Sequence, residues 1–408
     1  MSIIEIAPLE PGEISLLLES AGAEASSFTS VLMRLSRLFR ISGPDMPGLV
    51  CIGAVIALDE TQARAHGGPS ISATGTGVDD GAALVGCLAE AAELLSQFEE
   101  PGDVLNSAPD DPRLAGGWLD ASASSASGPI DLVRVHDLVS GEAALAAADL
   151  CLRRHPVSRK IAPVGALSAG CAAGRTTDEA ATRAVLELIE RDAAALWWKG
   201  GRPAGGVDAA HPCAAFAAER LAQLRRGIAT RTTMLLDLTN DFGVPVIAAA
   251  SYDVSGRNFA CGLAARLEVN DAADAALREM GQMELAAGVA SIKLAEAGEA
   301  ALGPVDRHNL ARAAFDAREC ELLHACARAP DAPAMAQWNC AALARHLADR
   351  RIATYRFDLT RPTIGVPVVR AIAPALQPYS DAILTPRLAA AMSLHGGGAS
   401  LTRGMPLY

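Results

Sequence analysis

The strongest constraint on the fold is a pattern that occurs three times. Gly77 is followed thirteen and sixteen residues later by Glu90 and Glu93, and Gly174 at the same distances by Glu187 and Glu190. Arg266 stands in the corresponding place before Glu279 and Gln282, and Ala83, Ala180 and Ala272 occupy one shared position among the copies. Recurrence at fixed offsets identifies each copy as one supersecondary unit that needs its neighbours to bury its apolar face. Each unit is a small-residue turn, a helix start and an E-x-x-E or E-x-x-Q pair.

Helix-start residues support that division: Asp79 and Asp80 in the first copy, Thr176 to Glu179 in the second, Asn270 and Asp271 in the third. Thr176 and Glu179 form the S/T-x-x-E capping pattern, which gives Glu179 a structural role beside any binding one. A second echo joins "DLTNDFGVPVIAAA" from Asp237 to "DLTRPTIGVPVVRAIAP" from Asp358, each read as strand, turn and Val-rich strand. The expected class is α+β, with antiparallel sheets flanked by helices and repeated strand-turn-helix units. The first 45 residues read as largely helical through "EISLLLESAGAEASSFTSVLMRLSRLF", which suggests an N-terminal segment over 1–60 ahead of a main domain over 61–408. Surface loops are expected at Gly116 to Pro129, after Trp198, near residue 330 and at "HGGGAS".

Composition limits the function. A net charge of −12 opposes nucleic-acid binding, which requires clustered Lys and Arg. The most apolar run, Leu49 to Leu58, is about half a membrane span and is read as a buried strand. No secretory signal pattern opens the chain, and its nine cysteines include no C-x-x-C pair, so reduced thiols and a cytoplasmic location are expected. Cys320, His324 and Cys326 are read as ordinary buried side chains. Neither a P-loop, a G-x-S-x-G elbow nor a Cys/His catalytic pairing is evident, and "TGTGVDDG" places two aspartates where a pyrophosphate would approach.

Side chains three apart on a helix share a face, so each acidic pair projects two like charges into one space. The flanks "LVGCLAEAAELL" and "AVLELIERDAAALWW" are apolar, which puts the carboxylates at the edge of a packed interior where unpaired charge is costly. A hard divalent cation answers that cost. Glu90, Glu93, Glu187, Glu190 and Glu279 would supply oxygen ligands for Mg2+, Gln282 an amide, and Arg191 a fork for phosphate. This reading leads to Mg2+-nucleotide binding, with backbone N–H groups of "SAGCAAG" approaching an anion.

The stretch "SAGCAAGRTTDEAATRAVLELIERD", Ser168 to Asp192, resembles the YcaO family pattern S-x-G-x-A-x-G-x-x-x-x-E-A-x-x-x-A-x-x-E-x-x-E-R-D. "ATGTGVDDGAALVGCLAEAAELL", "AALREMGQM" and "GVPVVRAIAPAL" are similar to further family segments, so the resemblance runs from about residue 65 to 380. It implies a YcaO-like fold that binds ATP through Ser168, Gly174, Glu179, Arg191 and Gln282, and Mg2+ through Glu90, Glu93, Glu187, Glu190 and Glu279. It also implies phosphorylation of a backbone amide oxygen in a ribosomally made precursor peptide, with cyclodehydration of Cys, Ser or Thr to an azoline as the leading outcome. Thioamide formation with a sulfide donor is the alternative, because the chain ends "LTRGMPLY" where azoline-forming members carry a proline-rich run. A non-catalytic nucleotide- or peptide-binding scaffold is the rival of another class. The implied partners are the precursor peptide and a separate leader-binding or TfuA-type protein, with room for a homodimer. Ala172 and Arg175 stand where some members carry Ser and Asn, and Trp197 and Trp198 are read as packing residues.

Overall fold

The computed structural model describes residues 4–105, 112–114, 119, 126–161, 169–326, 339–378 and 383–407. The apolar run read as a buried strand forms β3 (Val50–Ala57), which sits in an antiparallel sheet of order β1-β2-β3-β4 with β1 (Glu5–Pro8), β2 (Leu35–Ser42) and β4 (Ser70–Gly77). The N-terminal reading is corrected in one part. Helices α1 (Pro11–Ser26) and α2 (Thr29–Leu32) form, but Leu35–Ser42 is strand, because pairing on both edges with β1 and β3 overrides a local sequence that suits either state. Residues on both sides of position 60 share this sheet, since β3 pairs along its length with β4.

Beyond helix α3 (Glu60–His66), the acidic segments form α4 (Asp80–Ser96), α5 (Thr177–Trp198) and, after α6 (Ala214–Arg225), α7 (Val269–Ala297). The later strands are β5 (Leu132–Asp137), β6 (Ala143–Ala147), β7 (Cys171–Ala173), β8 (Gly205–Gly206), β9 (Arg231–Asp237), β10 (Val246–Asp253), β11 (Ala260–Ala265), β12 (Tyr355–Asp358) and β13 (Val368–Ile372). They build two more antiparallel sheets, of orders β6-β5-β12-β13-β7 and β11-β10-β9-β8. Each acidic helix thus follows a strand, β4 into α4, β7 into α5 and β11 into α7.

The glycines of the repeated turn are demanded by close packing. A Cβ on Gly77 would lie 2.7 Å from the backbone N of Ala83, and one on Gly174 2.5 Å from that of Ala180. Ala83, Ala180 and Ala272 are fully buried where helix meets strand. The echoed hairpins are superposable in their bonds: Thr239 Oγ1 accepts from the Val246 N–H and Thr360 Oγ1 from that of Val368, both at 3.2 Å. β10 is buried on both faces, Ile247 and Ala249 packing with α7 and Val246, Ala248 and Ala250 with the layer that holds α5, as a period of two requires. Trp197 and Trp198 end α5 inside the core, their indole N–H groups donating to the Leu322 and Met405 carbonyls at 3.0 and 2.6 Å. Among the described residues no helix is long and apolar enough to cross a membrane.

Helices α8 (Pro304–Ala313), α9 (Cys340–Ala348) and α10 (Pro386–His395) complete the surround of α5 and α7.

Candidate nucleotide and metal site

The carboxylates are held by backbone amides in a regular way. The first acid of each unit accepts from its own strand or the residue just before it: Glu90 Oε2 from the Thr74 N–H at 2.7 Å, Glu187 Oε2 from that of Gly170 at 3.0 Å, and Glu279 Oε2 from that of Leu263 at 2.9 Å. The second acid reaches the strand of the next unit. Glu93 Oε1 accepts from the Ala173 N–H at 2.8 Å and Glu190 Oε2 from the Ala265 N–H at 3.0 Å. The third unit closes onto the first differently, through the Gln282 Nε2–H donating to Thr74 Oγ1 at 2.7 Å. That hydroxyl lies 3.4 Å from Glu90 Oε2, so the amide side chain completes a circuit that a sixth carboxylate would break by repulsion.

Burial dominates the electrostatics. It raises the Glu90 carboxyl to about 7 and those of Glu93 and Glu190 to about 8, and it raises Glu279 as well. Like charges add to this: Glu93 is raised further by Glu187 and Glu90, and Glu190 by Glu279 and Glu187, so side chains from α4, α5 and α7 share one field. Arg191 lies 3.4 Å from Glu187 and 3.6 Å from Glu190 and offsets part of it. Among the described residues no three acidic, His or Cys side chains stand at the spacing of a closed metal cage, so the carboxylates line the centre from separate walls. The donor set nevertheless fits Mg2+. One oxygen each of Glu90, Glu93 and Glu279 has no protein hydrogen bond among the described residues, and Mg2+ takes a few carboxylate oxygens and fills its octahedron with water and phosphate.

A pH dependence follows. A carboxyl whose folded value lies above its unfolded one, about 4.3, lends stability that is complete below the unfolded value and is lost as pH rises through the folded value. The metal-free protein is therefore expected to melt at a lower temperature at pH 8 than at pH 6, with the loss spread up to the values near 8 of Glu93 and Glu190. Adding Mg2+ and nucleotide should remove most of the difference. Melting midpoints that do not move between these pH values would mean the carboxylates are not held in a water-poor centre.

Glu179 sits apart from the five, near the start of α5. The Thr176 hydroxyl caps the helix by accepting from the Glu179 N–H at 3.1 Å, but the Glu179 carboxylate reaches back to the Arg175 N–H rather than to that of Thr176, so half of the expected capping box is replaced. Desolvation acts to raise its carboxyl, and bonds with Arg175 and Arg183 outweigh that and lower it. Glu179 and Gly174 line a cleft of about 560 Å3 between α4 and α5, walled on its apolar side by Phe28, Val85, Ala89 and Pro367. Ser168 lies outside the described residues.

The sequence reading missed two participants. Thr74 and Arg183 carried no motif signal, although Thr74 belongs to the "TGTG" run. Cys213 and His211 are in contact, Sγ to Nδ1 at 3.2 Å, with His211 Nε2 3.4 Å from Asp237. The thiol is fully buried and pushed up to about 11, mainly by desolvation, so this arrangement supplies no nucleophile.

The sequence profile of the YcaO family, described as YcaO cyclodehydratase, ATP- and Mg2+-binding, matches residues 74–377. No curated protein matches the chain in sequence. Among solved structures, a heterocyclase in complex with substrate and cofactor is similar at TM-score 0.67 and 20% identity, over 87% of this chain and 52% of that one. The present chain thus spans about half of that heterocyclase. YcaO from Methanopyrus kandleri bound with AMPPCP and Mg2+ is similar at TM-score 0.62 and 17% identity, over 91% and 92% of the two chains. The Escherichia coli microcin synthetase McbBCD complex contains a chain similar at TM-score 0.52 and 14% identity, over 80% and 85%.

Proposed function

Because the chain belongs to the YcaO family, we propose that it is an ATP- and Mg2+-dependent enzyme that modifies the backbone of a ribosomally made precursor peptide, cyclodehydrating Cys, Ser or Thr to an azoline. The observation that carries this reading is the convergence of Glu90, Glu93, Glu187, Glu190 and Glu279 from three helices on one buried centre beside a cleft of nucleotide size. Bound Mg2+-ATP supplies the phosphoryl group that converts an amide oxygen into a good leaving group.

The chain's own contribution is positioning and charge balance. Backbone N–H groups of Thr74, Ala173, Leu263 and Ala265 fix one oxygen of each of four glutamates, which would leave the other for the cation. Arg191, 3.4 Å from Glu187, would pair with a phosphate oxygen. Gly174 and Glu179 border the cleft that the nucleotide would enter, and the apolar wall around Phe28 and Val85 suits a base. The site residues implied by the resemblance are proposed in those roles.

A separate leader-binding or TfuA-type partner is part of the proposal, supported by the multiprotein make-up of the microcin synthetase complex, and so is a cytoplasmic location. The test is ATP consumption with Mg2+, precursor peptide and partner, followed by peptide mass. Loss of one water is expected; exchange of oxygen for sulfur in the presence of sulfide would assign the thioamide reaction instead, and nucleotide binding without any change in the peptide would make the chain a scaffold.

A further inference from the structure

The repeat that aligns the acidic pairs also aligns two clefts. The first, described above, is bordered by Val85 and Ala89, eight and twelve residues past Gly77, and by Gly174, Arg175 and Glu179 of the second unit. A second cleft, of about 580 Å3, is bordered by Thr182 and Leu186, eight and twelve residues past Gly174, and by Arg266, Leu267 and Asp271 at the same places in the third unit. The clefts lie on either side of the first turns of α5, and Glu179 and Arg183 border both.

Each cleft adjoins a strand end whose backbone is bonded to the acidic centre. Ala173, which lines the first cleft, donates its N–H to Glu93; Ala265, the neighbour of Arg266 in the second, donates to Glu190. Glu190 is buried to 5% exposure, and Arg266 acts on it and on Glu279. A phosphoryl transfer needs donor and acceptor on opposite sides of the transferred group, and two clefts beside strand ends bonded to one acidic centre offer two such approaches.

Charge separates their occupants. The first cleft has two arginines, 175 and 183, against one carboxylate, Glu179. The second has two arginines, 183 and 266, against three carboxylates, Asp178, Glu179 and Asp271. It also replaces the close-approach glycine with Arg266 and presents Leu186, Leu267 and Cys340 as an apolar wall. A polyphosphate suits the first and is repelled by the second. We propose that the second cleft receives the segment of substrate peptide that carries the reacting amide, and that its acidic lip selects uncharged or basic residues beside that amide. This rests on the peptide-modifying function proposed above.

The test uses the full chain and two blocked cysteine pentapeptides, one with lysine and one with aspartate beside the cysteine, with affinities measured by calorimetry in the presence of Mg2+ and AMPPCP. The lysine probe should bind about fivefold more tightly than the aspartate probe, the scale of one exposed ion pair. Asp271→Lys, at an exposed position on the first turn of α7, should reverse that order, and Cys340→Trp, which fills the cleft, should abolish binding of both. AMPPCP affinity should be unchanged in both variants. The proposal is overturned if neither probe binds the unaltered protein, if both variants bind the probes as it does, or if AMPPCP affinity falls instead. Failure of AMPPCP to bind the unaltered protein would count against the nucleotide function itself, and probe binding would then be read alone.

Discussion

Replacing Glu190 with Gln is expected to lower peptide-dependent ATP turnover by about two to three orders of magnitude, the usual effect of removing one group that stabilises charge in a transition state, without unfolding the protein. Glu190 is buried, its carboxyl is pushed up to about 8 by desolvation first and by Glu279 and Glu187 after that, and Arg191 and Arg266 oppose the rise. A glutamine keeps the shape and keeps an oxygen able to accept from the Ala265 N–H, while removing a charge that costs stability when no cation is present. The melting midpoint of the metal-free variant should therefore match or exceed that of the parent. Glu187→Gln should weaken Mg2+-nucleotide binding likewise, since Glu187 stands between Glu93 and Glu190 in the shared field. Full turnover in Glu190→Gln, or its collapse with and without Mg2+, would assign the residue a purely architectural role.

The second large effect concerns Arg387, on α10. Asp192, two residues past Glu190, is wholly buried, and the Arg387 fork reaches its Oδ2 at 2.9 Å and 3.1 Å. The same guanidinium bonds Asp241 at 2.8 Å and lies 4.5 Å over the Phe242 ring, while the Gln377 N–H donates to Asp192 Oδ1 at 3.0 Å. Burial outweighs these partners and leaves the Asp192 acid weaker than an ordinary aspartate. Arg387→Met strips the charge partner from a sealed carboxylate and should cost about 3–5 kcal/mol in urea denaturation, the range for breaking one side of a buried pair. Adding Asp192→Asn should recover much of the loss, because the orphaned charge goes with it. A double variant no more stable than Arg387→Met would locate the cost in lost packing over Phe242.

How far the sequence could be read divides along separation in the chain. The acidic helices were legible because their evidence is local: caps at Asp79 and Thr176, apolar faces, and an offset from glycine that the close strand–helix packing explains. The twin hairpins were legible for the same reason. β2 was not, since Leu38 alone along it is buried and a register shift between Leu35 and Arg37 blurs the alternation a strand should show. The amide partners of Glu93 and Glu190, 80 and 75 residues away, carry no trace in the pattern around either glutamate. Nor does the latch from Arg387 to Asp192, 195 residues apart.

The passing of each second acid to the following strand bears on when this centre comes into being. As the chain leaves the ribosome, Glu93 has no amide to receive it until Ala173 has been made, Glu190 none until Ala265, and Thr74 is not met until Gln282 has been made. Until then the glutamates can remain protonated or hydrated, and no shortened product that stops before the third acidic helix owns a finished centre.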